Sequence, residues 1–169
     1  MSVVNIDIQG RIMLVQLNRP DRLNALGLEL RTEMFAAYTE FNNNPDLEVS
    51  VLTGTGRAFC AGDDMKEVLE RGAAGSENHP LSNPYSEWES AKPVIAAVAG
   101  PAVAGGMELA MWADMRVMEE TAFMGVYCRR WGVPLIDGGT VRLPRLVGEG
   151  RAMDLILTGR RVDAEEALR

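Results

Sequence analysis

The 169-residue sequence is poor in cysteine and histidine. Its only cysteines are Cys60 and Cys128, and so few cysteines argue against a disulfide-stabilised secreted scaffold. The only histidine, His79, lies in a stretch from 72 to 84 that is rich in Gly, Ser, Asn and Pro. This composition predicts a mobile surface loop, and we interpret His79 as a solvated loop residue.

A surplus of positive charge and a long apolar run are also missing. The net charge is −7, which excludes a general basic footprint for nucleic acid, so an anionic ligand would need a local cluster of donors. The N-terminus has no basic segment followed by an apolar one, so no secretory signal is predicted. The longest apolar run, 94–104, is too short to cross a bilayer and contains Gly100 and Pro101. These features predict a cytoplasmic protein that does not bind nucleic acid or membranes.

The composition is that of an ordinary globular domain with a substantial core, at 47% hydrophobic and 24% charged residues. Alternating apolar positions predict strands, and helical spacing predicts helices between them. Strands are expected at 4–8, 12–17, 49–52, 94–98, 115–118 and 121–127, and helices at 27–42, from 65, from 105, around 142–146 and at 150–157. Strands alternating with helices indicate an α/β fold with parallel strand pairs.

The stretch from Gly100 to Asp114 has the strongest functional pattern. It follows a short apolar strand and places Gly105 and Gly106 where that strand gives way to a helix. The first turn of a helix has unpaired N–H groups and the positive end of its dipole, which stabilise developing negative charge. Glu108 lies one turn further on. Two interpretations stay open, because Gly-Gly also makes simple turns and an acid in the first turn favours any helix.

A second glycine-containing turn precedes another predicted helix. Asp64 and Glu67 fit a capping box, which predicts that this helix begins at Met65. The backbone around Gly62 and Asp63 is therefore a second place where N–H groups are expected. Two such turns aimed at one oxygen atom would form an oxyanion hole.

Four motifs resemble one protein family. The segments are NRPDRLNAL at 18–26, FCAGDD at 59–64, GGMELA at 105–110 and GGTVRLPR at 138–145. In this order they resemble the motif segments of the enoyl-CoA hydratase/isomerase, or crotonase, family. Together they are spread over residues 18–145, which is most of the chain.

The resemblance implies a crotonase-like spiral of repeated ββα units, with residues 1–169 as the core domain. It implies a coenzyme A thioester substrate whose enolate is stabilised by the backbone N–H groups of Asp63 and Gly105. No metal or redox cofactor is expected, since coenzyme A enters as part of the substrate and dipoles stabilise the enolate. By motif, the resemblance assigns substrate contacts to Arg22, Leu23, Ala25, Ala61, Gly62, Asp64, Gly106 and Cys128.

The resemblance also implies a homotrimer or a dimer of trimers. The family's last helices would lie beyond Arg169, and the final predicted helix, after Asp163, spans less than two turns. An isolated helix of that length is marginal. The sequence is therefore expected to lack a C-terminal trimerisation segment.

The acid/base residues match the family less completely. Glu108 matches the first of two hydratase glutamates, whereas the second position holds Cys128. A thiol would need a strongly lowered pKa to replace a carboxylate, and such a cysteine at a strand end is more often packing. Asp137 lies three residues before Thr140, the spacing at which dienoyl-CoA isomerases of this family carry a catalytic aspartate. It is a candidate second acid/base, or a turn former ahead of the following glycines.

The expected function is an acyl-CoA-processing lyase or isomerase of fatty acid metabolism, of the enoyl-CoA hydratase/isomerase type. Because Cys128 replaces the second glutamate, isomerisation, thioester hydrolysis or decarboxylation are alternatives to hydration. An acyl-CoA-binding protein without catalysis is the alternative from another functional class.

Overall fold

The strands and helices alternate along the chain, as predicted. The computed structural model describes residues 2–73 and 88–169, so His79 and most of the predicted 72–84 loop lie outside the described residues. The strands are β1 Val4–Gln9, β2 Ile12–Leu17, β3 Val49–Gly54, β4 Val94–Val98, β5 Pro101–Val103, β6 Met115–Met118, β7 Phe123–Gly125 and β8 Arg161–Asp163. The helices are α1 Leu28–Asn43, α2 Met65–Ala73, α3 Gly105–Trp112, α4 Cys128–Trp131, α5 Gly139–Val147, α6 Glu149–Thr158 and α7 Ala164–Leu168. Among the described helices, none is long and apolar enough to cross a membrane.

The larger sheet has five strands in the order β1-β2-β3-β4-β6. A tight turn at Gly10, which has φ 62°, joins β1 and β2 antiparallel. The pairs β2–β3, β3–β4 and β4–β6 are all parallel, which confirms the α/β class. Parallel pairing places the carboxyl ends of β3 and β4 at the same edge. From these ends the chain continues through the Cys60 bridge and through β5 into the two glycine-containing turns.

The smaller sheet has the order β5-β7-β8, and its first strand follows β4 along the chain. A parallel bridge between Cys60 and Ala102 adds the segment after β3 to its edge. Successive turns of the chain thus contribute one segment to each sheet and then a helix. This repetition is the ββα spiral that the sequence motifs imply.

Helix α1 covers one face of the larger sheet. Its predicted apolar face is buried, with Leu30, Met34, Tyr38 and Phe41 each at most 3% exposed. Burying each such side chain stabilises the fold by about 1.5–3 kcal/mol. A charged residue, Arg31, is buried on the same face at 3% exposure.

Two local predictions need correction. The alternation of Val4, Ile6 and Ile8 predicts a half-buried strand, but β1 forms at the sheet edge with only Val4 buried. The capping box is half-formed: the Asp64 carboxylate accepts from the N–H of Lys66 at 3.2 Å. The Glu67 carboxylate instead accepts from the N–H of Leu28 at 3.0 Å. The amide N–H of Asp64 donates to Leu26, which removes the partner that the box would need.

Helix α3 can pack at its observed depth only with glycine at 106. A Cβ atom on Gly106 would overlap the backbone carbonyl of Cys60. Gly106→Ala is therefore expected to lower the free energy of unfolding by about 1–3 kcal/mol, as overpacking and backbone displacement do.

The matched control is Gly150→Ala in α6, where an added Cβ meets nothing within 4 Å. This substitution should raise the free energy of unfolding by up to about 1 kcal/mol. Urea unfolding monitored by circular dichroism measures both values. Equal effects of the two substitutions would contradict the described packing of α3.

Candidate active site

The predicted 22–26 and 61–64 segments lie side by side. The N–H of Ala61 donates to the carbonyl of Leu23 at 3.0 Å, and that of Leu26 donates to the carbonyl of Gly62 at 2.8 Å. The buried Asn24 side chain donates to the carbonyls of two residues after β3, at 2.9 and 2.8 Å. The loop after β2 is thereby fixed against the first glycine-containing turn.

The two glycine-containing turns meet at Gly62 and Gly105. A Cβ atom on Gly62 would lie 2.8 Å from the Cβ of Ala104 and 2.9 Å from the backbone nitrogen of Gly105. Gly62 also has φ +89°, a conformation that side chains rarely adopt. Only glycine allows this approach, which brings the Asp63 and Gly105 segments together as the sequence predicts.

The turn into α3 is sharp and carries backbone strain. Ala104 has φ 52° and ψ −127°, an unusual conformation for a non-glycine residue that costs about 1–3 kcal/mol. Its N–H donates to Gly125 at 2.9 Å, and its carbonyl accepts from Met107 and Glu108 at 3.0 and 3.2 Å. These hydrogen bonds hold the strained turn and fix the direction of the first turn of α3.

Glu108 projects from α3 into the protein and is 2% exposed. Its Oε1 atom accepts a hydrogen bond from the N–H of Gly139 at 2.7 Å. Burial raises the pKa of Glu108 to about 8, against a lowering by that hydrogen bond, and the negative charges of Asp137 and Asp63 raise it further. At neutral pH the group is mostly a neutral carboxylic acid that ionises within reach of physiological pH.

The close approach of Glu108 to α5 depends on the absence of a side chain at 139. A Cβ atom on Gly139 would lie 2.7 Å from Oε1 of Glu108 and 2.5 Å from Cδ2 of Leu135. Gly139 begins α5, so its N–H is one of the donors that a helix start leaves without an intrahelical partner. The GGT motif therefore provides both the donor and the space that position Glu108.

Asp137 is 1% exposed and belongs to a buried charge cluster. Its two carboxylate oxygens accept from Nη2 and Nη1 of Arg31, at 3.1 and 3.4 Å. The same guanidinium also pairs with the carboxylate of Asp63. A Cβ atom on Gly105 would lie 3.4 Å from Oδ2 of Asp137, so the cluster borders the turn into α3. The role of Asp137 as a second acid/base stays a prediction.

Cys128 begins the short helix α4 and does not end a strand as predicted, because β7 stops at Gly125. It is buried, and burial together with the nearby charge of Glu108 raises the pKa of its thiol to about 12. The thiol is therefore neutral at physiological pH. It cannot replace a carboxylate as a base, which agrees with the interpretation of the sequence.

The other predicted contact residues surround these turns at different depths. Arg22 is exposed, Leu23 and Ala61 are half-buried, and Ala25 is buried. Asp64 is buried and its carboxylate pairs with Arg19, whose Nη2 lies 2.9 Å away. Gly106 is predicted as a substrate contact, but its Cα packs against the backbone carbonyl of Cys60.

Two contributors were missed by the sequence interpretation. Arg31 could have been found from the sequence. It is a charged residue three and seven positions before Met34 and Tyr38, on the apolar face of a predicted helix. The hydrogen bond from Gly139 to Glu108 could not have been found from the sequence, because it joins residues 31 positions apart. Within the described residues, no group of three or more His, Cys, Asp or Glu side chains could hold a metal ion.

Comparison with known proteins identifies the family. The family model described as enoyl-CoA hydratase/isomerase matches residues 7–169. The chain belongs to this family. The enoyl-CoA hydratase/isomerase resemblance of the four motifs is thereby confirmed, and so is the fold that it implies.

Relatives within the family cover nearly the whole chain. A "Probable enoyl-CoA hydratase" of Rhizobium meliloti is 44% identical over 168 residues, covering 97% of this chain and 64% of the relative. "Probable enoyl-CoA hydratase echA8" of Mycobacterium tuberculosis is 41% identical, covering 99% and 66%. The chain thus spans slightly less than two thirds of these relatives.

Solved structures of family members have the same fold. An enoyl-CoA hydratase of Mycobacterium tuberculosis superimposes with a TM-score of 0.87 at 39% identity, covering 99% of this chain and 71% of that chain. Enoyl-CoA hydratase EchA1 of Mycobacterium marinum superimposes with a TM-score of 0.90 at 33% identity, covering 99% and 66%.

The raised pKa of Glu108 predicts a pH-dependent cost to stability. Above the ordinary glutamate pKa, unfolding releases a proton that the folded state keeps until about pH 8. The contribution of Glu108 to the free energy of unfolding therefore falls by about 1.4 kcal/mol per pH unit between these two pKa values. Glu108→Gln removes this loss, so the variant should gain stability over the wild type as pH rises.

Urea unfolding of both proteins at several pH values between about 5 and 8 measures this difference. The matched control is Glu48→Gln, which removes an exposed carboxylate paired with Arg11 at 2.8 Å. A stability difference at Glu108 that does not change with pH would show that the carboxyl is not held neutral.

Proposed function

We propose that the chain acts on acyl-CoA thioesters as an enzyme of the enoyl-CoA hydratase/isomerase type. The backbone N–H groups of Asp63 and Gly105 donate to the thioester oxygen and stabilise the enolate that forms there. Glu108 transfers the proton. The substrate contacts predicted at the 22–26 and 61–64 segments belong to the same proposal.

The observation that carries this proposal is the environment of Glu108. A buried carboxyl group whose pKa is about 8 ionises close to neutral pH, which is the property of an effective general acid/base. It lies in the same helix whose first residue is the proposed donor Gly105, one turn away. A structural carboxylate in a core is ordinarily paired with a cation.

Hydration is possible with Glu108 as the only carboxylate. The ionised carboxylate takes a proton from water while the water oxygen bonds to C3 of the enoyl group. The electrons of the double bond move towards the thioester oxygen, where the two N–H groups stabilise them. The resulting Glu108 acid then returns the proton to C2, and the carboxylate is regenerated.

Isomerisation is the second candidate, and Cys128 favours it. Moving a double bond needs one group that takes a proton from C4 and returns it to C2, and it needs no activated water. The neutral thiol at 128 offers no second base for a water molecule. Asp137, 1% exposed and bordering Gly105, is the remaining carboxyl that could share this proton transfer.

The wider assignments belong to the same proposal. Coenzyme A would enter as part of the substrate, and neither reaction described above uses a metal or redox cofactor. On the same resemblance we propose a trimer or dimer of trimers, a cytoplasmic location and a place in fatty acid metabolism. Residues 1–169 would form the core domain of such an enzyme.

The pH dependence of kcat/KM is expected to follow the ionisation of Glu108. Both reactions begin with the carboxylate form, so kcat/KM should rise about tenfold per pH unit up to about pH 8 and then level off. Steady-state assays with crotonyl-CoA, followed by loss of the absorbance of the conjugated thioester, measure the profile. A rate independent of pH across this window would contradict the assignment of Glu108 as the base.

Glu108→Gln should lower kcat by about a hundredfold or more, as loss of a general base does. Mass spectrometry of the product separates the candidate reactions, since hydration adds one water to crotonyl-CoA and isomerisation of a longer enoyl-CoA adds nothing. The matched control is Glu48→Gln, which should keep the wild-type rate. Wild-type binding of acyl-CoA without turnover of any thioester would instead favour a binding protein.

A further inference from the structure

A single buried arginine joins the two loops on which the proposed active site depends. Arg31 lies on α1 and is 3% exposed, and its partners are 32 and 106 residues away in the sequence. One partner is the carboxylate of Asp63, whose N–H is a proposed oxyanion donor. The other is the carboxylate of Asp137, two residues before Gly139. Arg31 therefore contacts both sides of the site through side chains alone.

The two loops have little regular secondary structure at these points. Asp63 forms only an isolated β-bridge with Leu26 before α2 begins, and residues 132–138 lie between α4 and α5. Arg31 fixes the carboxylate of Asp137, and Nη1 of Arg142 donates to its carbonyl at 3.0 Å. Gly139 is fixed in turn to Glu108 at 2.7 Å. A movement of the Asp137 loop would therefore move the donor that positions Glu108.

Helix α1 is a suitable anchor for such a contact. It has 16 residues, and the side chains that flank Arg31 on its buried face, Leu30 and Met34, are completely buried. The guanidinium is planar and presents several donors in a fixed arrangement, so it can bind two carboxylates at once with a defined spacing. Lysine, a single point charge on a flexible chain, cannot hold both in this way.

We propose that Arg31 is a positioning residue that holds the Asp63 loop and the Asp137–Gly139 loop at a fixed separation. The oxyanion donor at Asp63 and the Glu108 carboxyl thereby keep the spacing that proton transfer to the bound thioester requires. This inference rests on the proposed function, since the spacing matters only if these two groups act on one substrate. Arg31 itself does not touch the reacting atoms.

The test compares Arg31→Lys with Arg160→Lys. Arg160 also bridges two carboxylates, those of Asp154 and Glu166 at 2.7 and 2.6 Å, but on the exposed α6–α7 side. Arg31→Lys should lower kcat by about 10- to 100-fold per folded molecule, the effect of a misplacement of about 1 Å. Affinity for acetyl-CoA, used as a non-reacting probe in calorimetry, should change little. Arg160→Lys should leave both values unchanged.

A second readout does not depend on turnover. Hydrogen exchange of the Gly139 amide, followed by NMR, reports its hydrogen bond to Glu108, and Arg31→Lys should accelerate it relative to Arg160→Lys. Should Arg31→Lys not fold, Asp63→Asn removes the charge of one partner while Asp137 keeps Arg31 paired, so kcat should fall whereas Gly139 exchange should stay at the wild-type rate. Should the wild type turn over no thioester, the proposed function fails, and the exchange rate alone decides on the positioning role.

The proposal is overturned if kcat per folded molecule of Arg31→Lys, or of Asp63→Asn where it replaces that variant, stays within about twofold of the wild type, or if Gly139 exchange is unchanged in Arg31→Lys. A purely structural ion pair predicts this result together with a lower melting temperature. A loss of kcat in Asp137→Asn without any loss in Asp63→Asn would also overturn it, because Asp137 would then act by itself as an acid/base.

Discussion

The site depends on one energetic conflict, the burial of the Glu108 carboxyl beside other acidic groups. Desolvation and the charges of Asp137 and Asp63 oppose its ionisation, whereas the N–H of Gly139 favours it. Ionising such a group in a core is costly, so the folded protein keeps it neutral until the pH approaches 8. A group in this state opposes folding stability near neutral pH, which is a recurring property of catalytic acids and bases.

The fold makes this arrangement possible by bringing four chain segments together. The glycine at 62 permits the close approach of the Asp63 and Gly105 turns, and the one at 139 permits that of α5 to Glu108. Arg31, from α1, balances the two aspartates that would otherwise repel each other. Each contact joins segments that are distant in sequence, so the site forms only when the spiral is complete.

Much of the architecture could be predicted from local patterns. The alternating and helical spacings predicted α1, the strands of the larger sheet and the turn into α3, because these patterns express burial on one face. Glu108 and the glycine-containing turns were found because their motif lies at a strand-to-helix junction. The short strand β8 and helix α4 were not predicted, since elements of three or four residues carry little periodicity.

Long-range electrostatics could not be predicted in the same way. Asp137 was a candidate from spacing alone, yet its ion pair with Arg31 depends on packing between segments 106 residues apart. The side chain of Glu67 was expected to accept a hydrogen bond from the N-cap of its own helix. It accepts one from the N–H of Leu28 at the start of α1 instead. The direction in which the pKa of Cys128 changes likewise follows from burial, which spacing does not reveal.

The ionisation of Glu108 itself tests the central claim most directly. Carbon-13 NMR of protein labelled at the glutamate carboxyl carbons, titrated across the pH range, resolves each group, and the signal that is missing in Glu108→Gln identifies Glu108. An apparent pKa of about 8 is expected for that signal. A pKa at the ordinary glutamate value of 4.5 would contradict a neutral, proton-transferring carboxyl at this position.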